Sequence, residues 1–205
     1  MPTAPITSLG GRKILRCVSR RVSFLPIILL SALAGFCLHA QAQLPKANEF
    51  QVKAAYLYNF GRFVEWPDEN APDKKEVFEI CVLGADPFGP TLDATLARET
   101  IDGKSVTAKR IAKPQDVDSC RIVFISSSEE GHLKEVLAAL DKASVLTVSD
   151  IPRFSERGGM IGFILDGDRV RFDVNLASAQ DARLTLSSEL LKVANNVRKD
   201  RTGDF

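Results

Sequence analysis

Histidine is almost missing from this chain, with two in 205 residues, His39 and His132, and tryptophan occurs once, as Trp66. Catalysis near neutral pH draws on groups that titrate or coordinate there. His132 stands on a helical stretch beside Leu133, with no G-x-S-x-G nucleophile motif anywhere to partner it. A zinc site needs three or four ligands, and cysteines paired with each other cannot serve. No G-x-G-x-x-G occurs, and the spacing Gly84 to Gly89 lacks the Lys and Ser/Thr of a phosphate loop, since Pro90-Thr91 follow. Asp150, Asp166, Asp168 and Asp173 offer carboxylates, but at positions that suit turns and a solvent face. Beyond the first 42 positions clustered basic residues are also absent, which argues against a phosphate-tracking surface and so against nucleic acid as a partner. No enzyme and no cofactor is expected.

Acidic residues are lacking altogether in the first 42 positions, which carry Arg12, Lys13, Arg16, Arg20 and Arg21. An apolar run from Phe24 to about Leu38 follows, then Ala40-Gln41-Ala42. Basic start, short apolar core and A-x-A site make a secretory signal. The alternative is an uncleaved anchor, but the run is shorter than the roughly 20 residues of a spanning helix, and Pro26 and Gly35 interrupt it. Cleavage is expected after Ala42, leaving residues 43–205 as one exported domain. The whole chain has 27 basic and 26 acidic residues; without the five basic residues of the signal the balance is 22 to 26, a net −4.

Alternation and periodicity then supply the elements. Val52, Tyr56, Phe60 and Phe63 recur at helical spacing from about Asn48 to Glu65; Asn48 or Pro45 can start this helix and Trp66-Pro67 stops it. Val77 to Leu83, Ser105 to Ile111, Ile122 to Ile125 and Val145 to Val148 are apolar strands, with helices at Pro90 to Arg98 and Glu129 to Asp141. Met160 to Leu165 and the alternating Val170, Phe172 and Val174 form a hairpin about Asp166-Gly167. Gly158 and Gly159 are turn residues before it, read as supplying positive φ. Asn175 ends the second hairpin strand, and Leu184, Leu186, Leu190, Leu191, Val193 and Ala194 follow helical spacing, with Ser187-Ser188 as cap. Continuous apolar strands alternating with helices predict an α/β fold: a mostly parallel open sheet flanked by helices in Rossmann-like or flavodoxin-like layers, with a C-terminal antiparallel hairpin.

Of four cysteines, Cys17 and Cys37 lie in the signal. Cys81 falls in one apolar strand and Cys120 starts another, so adjacent parallel strands would bring them within disulfide range. The alternative is two buried thiols; an exported chain favours the bridge, which would close a loop worth roughly 4 kcal/mol on the chain-entropy view.

Residues 149–194 also carry a resemblance. S-D-x-x-x-F-x-x-x-G-G-M-I-x-F from Ser149 to Phe163, R-x-x-F-x-x-N from Arg169 to Asn175, and S-x-x-L-L-x-x-A from Ser187 to Ala194 resemble the YfiR-like family. Upstream, V-K-A-A-Y-L-Y-N-F-G-R-F-V-E-W-P (Val52 to Pro67) is similar to that family's opening helix, and L-G-x-D-P-F-G (Leu83 to Gly89) to its first strand-helix loop. The resemblance covers about Phe50 to Val197. It implies a periplasmic regulator that binds the sensor part of an inner-membrane diguanylate cyclase and holds it inactive, lowering cyclic-di-GMP. It further implies an outer-membrane lipoprotein that sequesters the regulator, and leaves open another membrane sensor such as a histidine kinase as target, and a homodimer. Some relatives carry a second cysteine pair near the Gly-Gly segment; Ser155 and Gly162 stand there instead.

Aromatic residues anchor interfaces, which makes Tyr58, Phe63, Trp66 and Phe154 candidates for partner binding. Two other classes compete. A small-ligand receptor would use the loops outside the carboxyl ends of the strands, at Gly84 and Asp86, Ser126, and Ser149 and Asp150. A hydrolase would need a site of unfamiliar kind.

Overall fold

The computed structural model describes residues 48–67, 77–141 and 143–199. The expected signal segment with its cleavage site, and residues 200–205, lie outside these. Asn48 opens helix α1 (Glu49–Phe63) as the spacing predicts. Its side chain accepts from the Phe50 amide while its own backbone N–H donates to Gln51 Oε1 at 3.0 Å, so two otherwise orphaned donors at the helix start are satisfied together. Val64 takes extended backbone and ends the helix. Val64 and Glu65 form β1, an antiparallel pair with β9 (Thr185–Leu186).

The main sheet has eight strands. In chain order after β1 come β2 (Val77–Leu83), helix α2 (Pro90–Leu96), β3 (Thr100–Ile101), β4 (Lys104–Ile111), β5 (Cys120–Ile125), helix α3 (Leu133–Leu140) and β6 (Leu146–Ser149). Then follow β7 (Ile161–Asp166), β8 (Arg169–Asn175), helix α4 (Leu176–Asp181), β9, helix α5 (Ser188–Val193) and β10 (Asn196–Arg198). Across the sheet the order is β10-β8-β7-β6-β5-β2-β4-β3. Strands β7, β6, β5, β2 and β4 run parallel; β8 returns antiparallel to β7, and β3 antiparallel to β4. The mostly parallel α/β sheet with its antiparallel hairpin is therefore the fold that the apolar strands predict.

Several details differ from the expectation. The hairpin turn is centred on Gly167-Asp168, one residue later than Asp166-Gly167, because Asp166 still pairs with Arg169. Gly167 supplies the positive φ, 58°, at the first central position. A second tight hairpin, β3-β4, turns on Asp102 and Gly103, both at positive φ. The stretch from Ser127 to His132 winds as 3-10 helix before α3 begins. The apolar residues from Leu184 onward do not form one helix. Thr185 and Leu186 pair with β1, and Ser187, whose side chain accepts from the Leu190 amide, caps the six-residue α5. Asn175 both ends β8 and caps α4 through the Ser178 amide.

Period-two alternation sends the central strands' side chains to two cores. On one face Ile80, Val82, Ile122, Phe124, Leu146 and Val148 meet α1, α2 and the hairpin, through Leu57, Phe60, Phe88, Leu92, Phe163 and Phe172. On the other, Cys81, Leu83, Val123 and Ile125 meet α3, Val117, Ile151 and Phe154.

Candidate functional site

The loops at the carboxyl ends of the strands are bound to one another rather than left open. After β2, the Ala85 amide donates to Ser128 Oγ at 2.9 Å, and the Asp86 side chain accepts from the Phe88 amide at 2.8 Å. Arg110, at the end of β4, closes this loop from the side. Its Nε donates to Asp86 at 2.9 Å, and its terminal nitrogens to Asp93 and to the Gly89 carbonyl, each at 2.8 Å. The Arg110 hydrogen bond holds the Asp93 carboxyl below its ordinary value, and Asp93 in return raises the guanidinium. After β5, the Ser126 amide donates to the Leu83 carbonyl, and Ser126 Oγ accepts from the Ser128 amide. After β6, Ser149 Oγ donates to the Ile125 carbonyl at 2.7 Å and accepts from the Ile151 amide at 3.0 Å.

Asp150 completes this edge. Its Oδ2 accepts from Lys53 Nζ at 2.7 Å, and Lys53, only 2% exposed, also pairs with Glu49 one turn back on α1. The ammonium lies over the Phe50 ring at 5.1 Å. A charge-assisted bond of this kind in a poorly hydrated place is strong once made and costly to leave half-made. Asp150 therefore fastens α1 to the loop after β6. Of the residues nominated as ligand loops, Asp86, Ser126, Ser149 and Asp150 Oδ2 spend the hydrogen bonds described here on the fold itself, while Gly84 takes φ 87° and Asp150 Oδ1 is buried without a hydrogen-bond partner.

The segment from Phe154 to Gly162 is built around one ring. Phe154 is 1% exposed and lies in the second core. A Cβ on Gly159 would stand 2.1 Å from that ring, so only glycine lets the chain pass. Gly158 takes φ 97°, as expected, whereas at Gly159 the requirement is space rather than positive φ. Asn175 Nδ2 donates to the Ser155 carbonyl at 2.9 Å and ties the loop to β8. Phe154 is thus corrected from partner surface to core: the turn around Ile151 directs it inward.

The other three aromatic candidates lie on the second half of α1 or just after it. Phe63 is 36% exposed. Tyr58 is half-buried, donates to the Thr100 carbonyl at 3.3 Å and lies under Arg62. Its phenol is raised above the ordinary value, first by hydrogen bonding to Glu99 and then by desolvation. Trp66 is half-buried edge-on against Phe78, with the Arg121 guanidinium 5.8 Å above its ring. Burial lowers the Arg121 pKa. Val193 on α5, 68% exposed, was not nominated. Its place in an apolar helical run suggested burial, but of the six residues of α5 only Leu190 is buried.

A cavity of about 240 Å³ lies beside the amino ends of β6 and β7, lined by Thr147, Met160, Leu137, Ser178, Arg157 and Lys134 among others. It is not among the strand-end loops nominated for ligands. Among the described residues, one group of metal-type donors converges: Glu79 with Cys81 and Cys120. The two cysteines are joined as a disulfide in the structure, Cα to Cα 5.8 Å, across β2 and β5.

Comparison with known proteins settles the family. The profile described as DUF4154, YfiR/HmsC-like, matches residues 50–195. The chain belongs to the YfiR/HmsC-like family. Proteins of this family are periplasmic regulators of diguanylate cyclase signalling rather than enzymes. Among solved structures, a conserved domain protein from Vibrio cholerae is similar in fold, with TM-score 0.50 and 11% identity over 73% of this chain. This chain spans about 60% of that protein's length. The ABC domain of a Streptococcus pneumonia protein, solved in complex with L-Trp, is more distant, with TM-score 0.45 and 12% identity over 58% of this chain and 55% of that one. Among the described residues, no helix is long and apolar enough to cross a membrane.

Proposed function

We propose that this chain is a binding module that docks on the periplasmic sensor part of an inner-membrane diguanylate cyclase and holds the enzyme inactive. The observation that carries this reading is the family match over residues 50–195. Phe63, which is exposed, and the half-buried Tyr58 and Trp66 are the contact residues of the proposal, since aromatics dominate the energetics of interfaces. To inhibit, the chain must bind the inactive cyclase better than the active one. A preference of about 100-fold changes the active-to-inactive ratio by the same factor at saturation. An outer-membrane lipoprotein that captures the same surface would release the cyclase.

The test is intracellular cyclic-di-GMP in a deletion strain and in strains complemented with the native chain or Phe63→Ala. Deletion raises cyclic-di-GMP, the native chain restores it, and Phe63→Ala fails to restore it although the protein accumulates normally. Unchanged cyclic-di-GMP on deletion, with no envelope cyclase recovered on the purified chain, defeats the reading.

The cavity by Thr147 favours a second reading, a receptor for a small polar molecule. A ligand held only by the folded state raises the melting temperature. A metabolite screen by thermal shift, repeated on Thr147→Val, detects it: a shift lost in the variant supports a receptor.

A further inference from the structure

The disulfide has a third donor beside it. Glu79 precedes Cys81 by two residues on β2, so both side chains leave the same side of that strand. In the sheet Glu79 is paired opposite Cys120 on β5, just before a register shift between Glu79 and Ile80. The carboxylate oxygen and the two Sγ atoms all lie within 4.8 Å of one another. Glu79 Oε2 is buried and has no hydrogen-bond partner. Lys109 Nζ forms a long ion pair with it at 3.7 Å and donates its hydrogen bond to Ser119 Oγ at 2.7 Å. An unbonded, buried carboxylate oxygen beside two sulfurs is poorly satisfied while those sulfurs are bonded to each other.

We propose that reduction of Cys81–Cys120 converts this corner of the fold into a three-ligand site, Glu79 with two thiolates, for a thiophilic divalent cation such as Zn²⁺. The inference is independent of the cyclase reading. A dithiol reductant attacks one sulfur of the bridge and passes through a mixed disulfide. It leaves as its own disulfide, and its two electrons and two protons stay on Cys81 and Cys120 as thiols. Each thiol then gives its proton to solvent as it binds the cation, so one cation enters and two protons leave. Two thiolates select a soft or borderline metal over Mg²⁺ or Ca²⁺. Three protein ligands leave a fourth position for water or an outside ligand. Cys81 and Cys120 are buried, but the Glu79 side chain is 25% exposed and Lys109 42%, so the cation enters from the carboxylate side. Lys109 offsets part of the negative charge of the ligand set.

The test titrates ZnCl₂ into the full chain, oxidised and phosphine-reduced, against a chromophoric chelator, and follows melting temperature in parallel. The reduced chain takes up one Zn²⁺ and melts higher with it, whereas the oxidised chain takes up none. Co²⁺ in place of Zn²⁺ gives a tetrahedral, sulfur-ligated spectrum. Cys81→Ser with Cys120→Ser risks folding, so the deciding variant is Glu79→Gln, which retains the bridge. It melts like the native chain when oxidised, and when reduced it binds Zn²⁺ at least about tenfold more weakly. Equal uptake by oxidised and reduced chains overturns the proposal. So does undiminished affinity in Glu79→Gln, or a reduced melting temperature indifferent to Zn²⁺.

Discussion

The two faces of the central sheet are held by different means. One face is aromatic. Phe60 meets Phe172 edge-on at 5.0 Å, Phe88 meets Phe124 at 4.8 Å, and Tyr56 joins Phe172 at 5.5 Å. Its covering helix α1 is also pinned electrostatically, by Lys53 to Asp150. The opposite face is thinner and mostly aliphatic, covered by the eight-residue α3 with Phe154 as its one large ring. It carries the disulfide. Where many rings interlock, burial itself supplies the stability. Where the layer is thin, a covalent link that restrains the unfolded chain contributes instead. The difference teaches that a sheet with two buried faces need not be stabilised symmetrically.

The comparison can be broken most severely on the aromatic side. Phe60→Ala, at a ring 1% exposed, is expected to cost about 3–5 kcal/mol through lost burial and the cavity left behind, read from urea denaturation. Next, Lys53→Met leaves Asp150 without its cation and costs about 3 kcal/mol. Pairing it with Asp150→Asn returns most of that loss, and a double variant no more stable than the single one shows that Lys53 acts by packing alone. On the thinner face, Cys81→Ser with Cys120→Ser opens a loop between cysteines 39 positions apart and costs about 2–4 kcal/mol. Reduction of the native chain without added metal should cost a similar amount. If Phe60→Ala proves cheaper than losing the bridge, the ranking of the two faces is reversed.

The smallest effect is at the sheet's carboxyl edge, outside both cores. Asp93 is lowered in the folded protein, chiefly by its hydrogen bond from Arg110. The stability it contributes is therefore present above the ordinary carboxyl value of 3.8 and is lost as pH falls through the lowered one. Because the Asp93 side chain is 53% exposed, solvent screens the pair, and Arg110→Ala should cost less than about 1 kcal/mol at neutral pH. Denaturation midpoints of the two proteins should converge on acidification; a gap that widens would contradict the assignment.

Much of this architecture is legible in the chain. Asn48 announces α1, the continuous apolar runs announce the parallel strands, and the placement of Cys81 and Cys120 on two of those strands anticipates their bridge. What escapes is short or polar. β1, β3 and β9 have two residues each and β10 has three, too few for a periodicity to register. The β3-β4 hairpin is different, because Asp102-Gly103 carries the same Asp-Gly signal that marks residues 166–167 and would have revealed it. At Phe154 the sequence shows an aromatic among polar neighbours, which suits a surface. Only the backbone path past Gly159 shows that the ring turns inward. The cavity by Thr147 escapes for a similar reason, since its walls come from α3, α4 and the approach to β7, and no local motif unites them.

The bond between Lys53 and Asp150 spans 97 positions of sequence, and that span has a kinetic meaning. As the chain is made, α1 emerges long before the strands that cover it, and its partners on the hairpin, Phe163 and Phe172, emerge later still. Contacts this distant in sequence slow folding, because loop closure is costly before any contact rewards it. Until then the apolar face of α1 is uncovered and prone to aggregate. The first helix among the described residues is thus among the last to be secured, and Lys53 reaches Asp150 only after the 97 positions between them, nearly half of the 205-residue sequence, have followed it out.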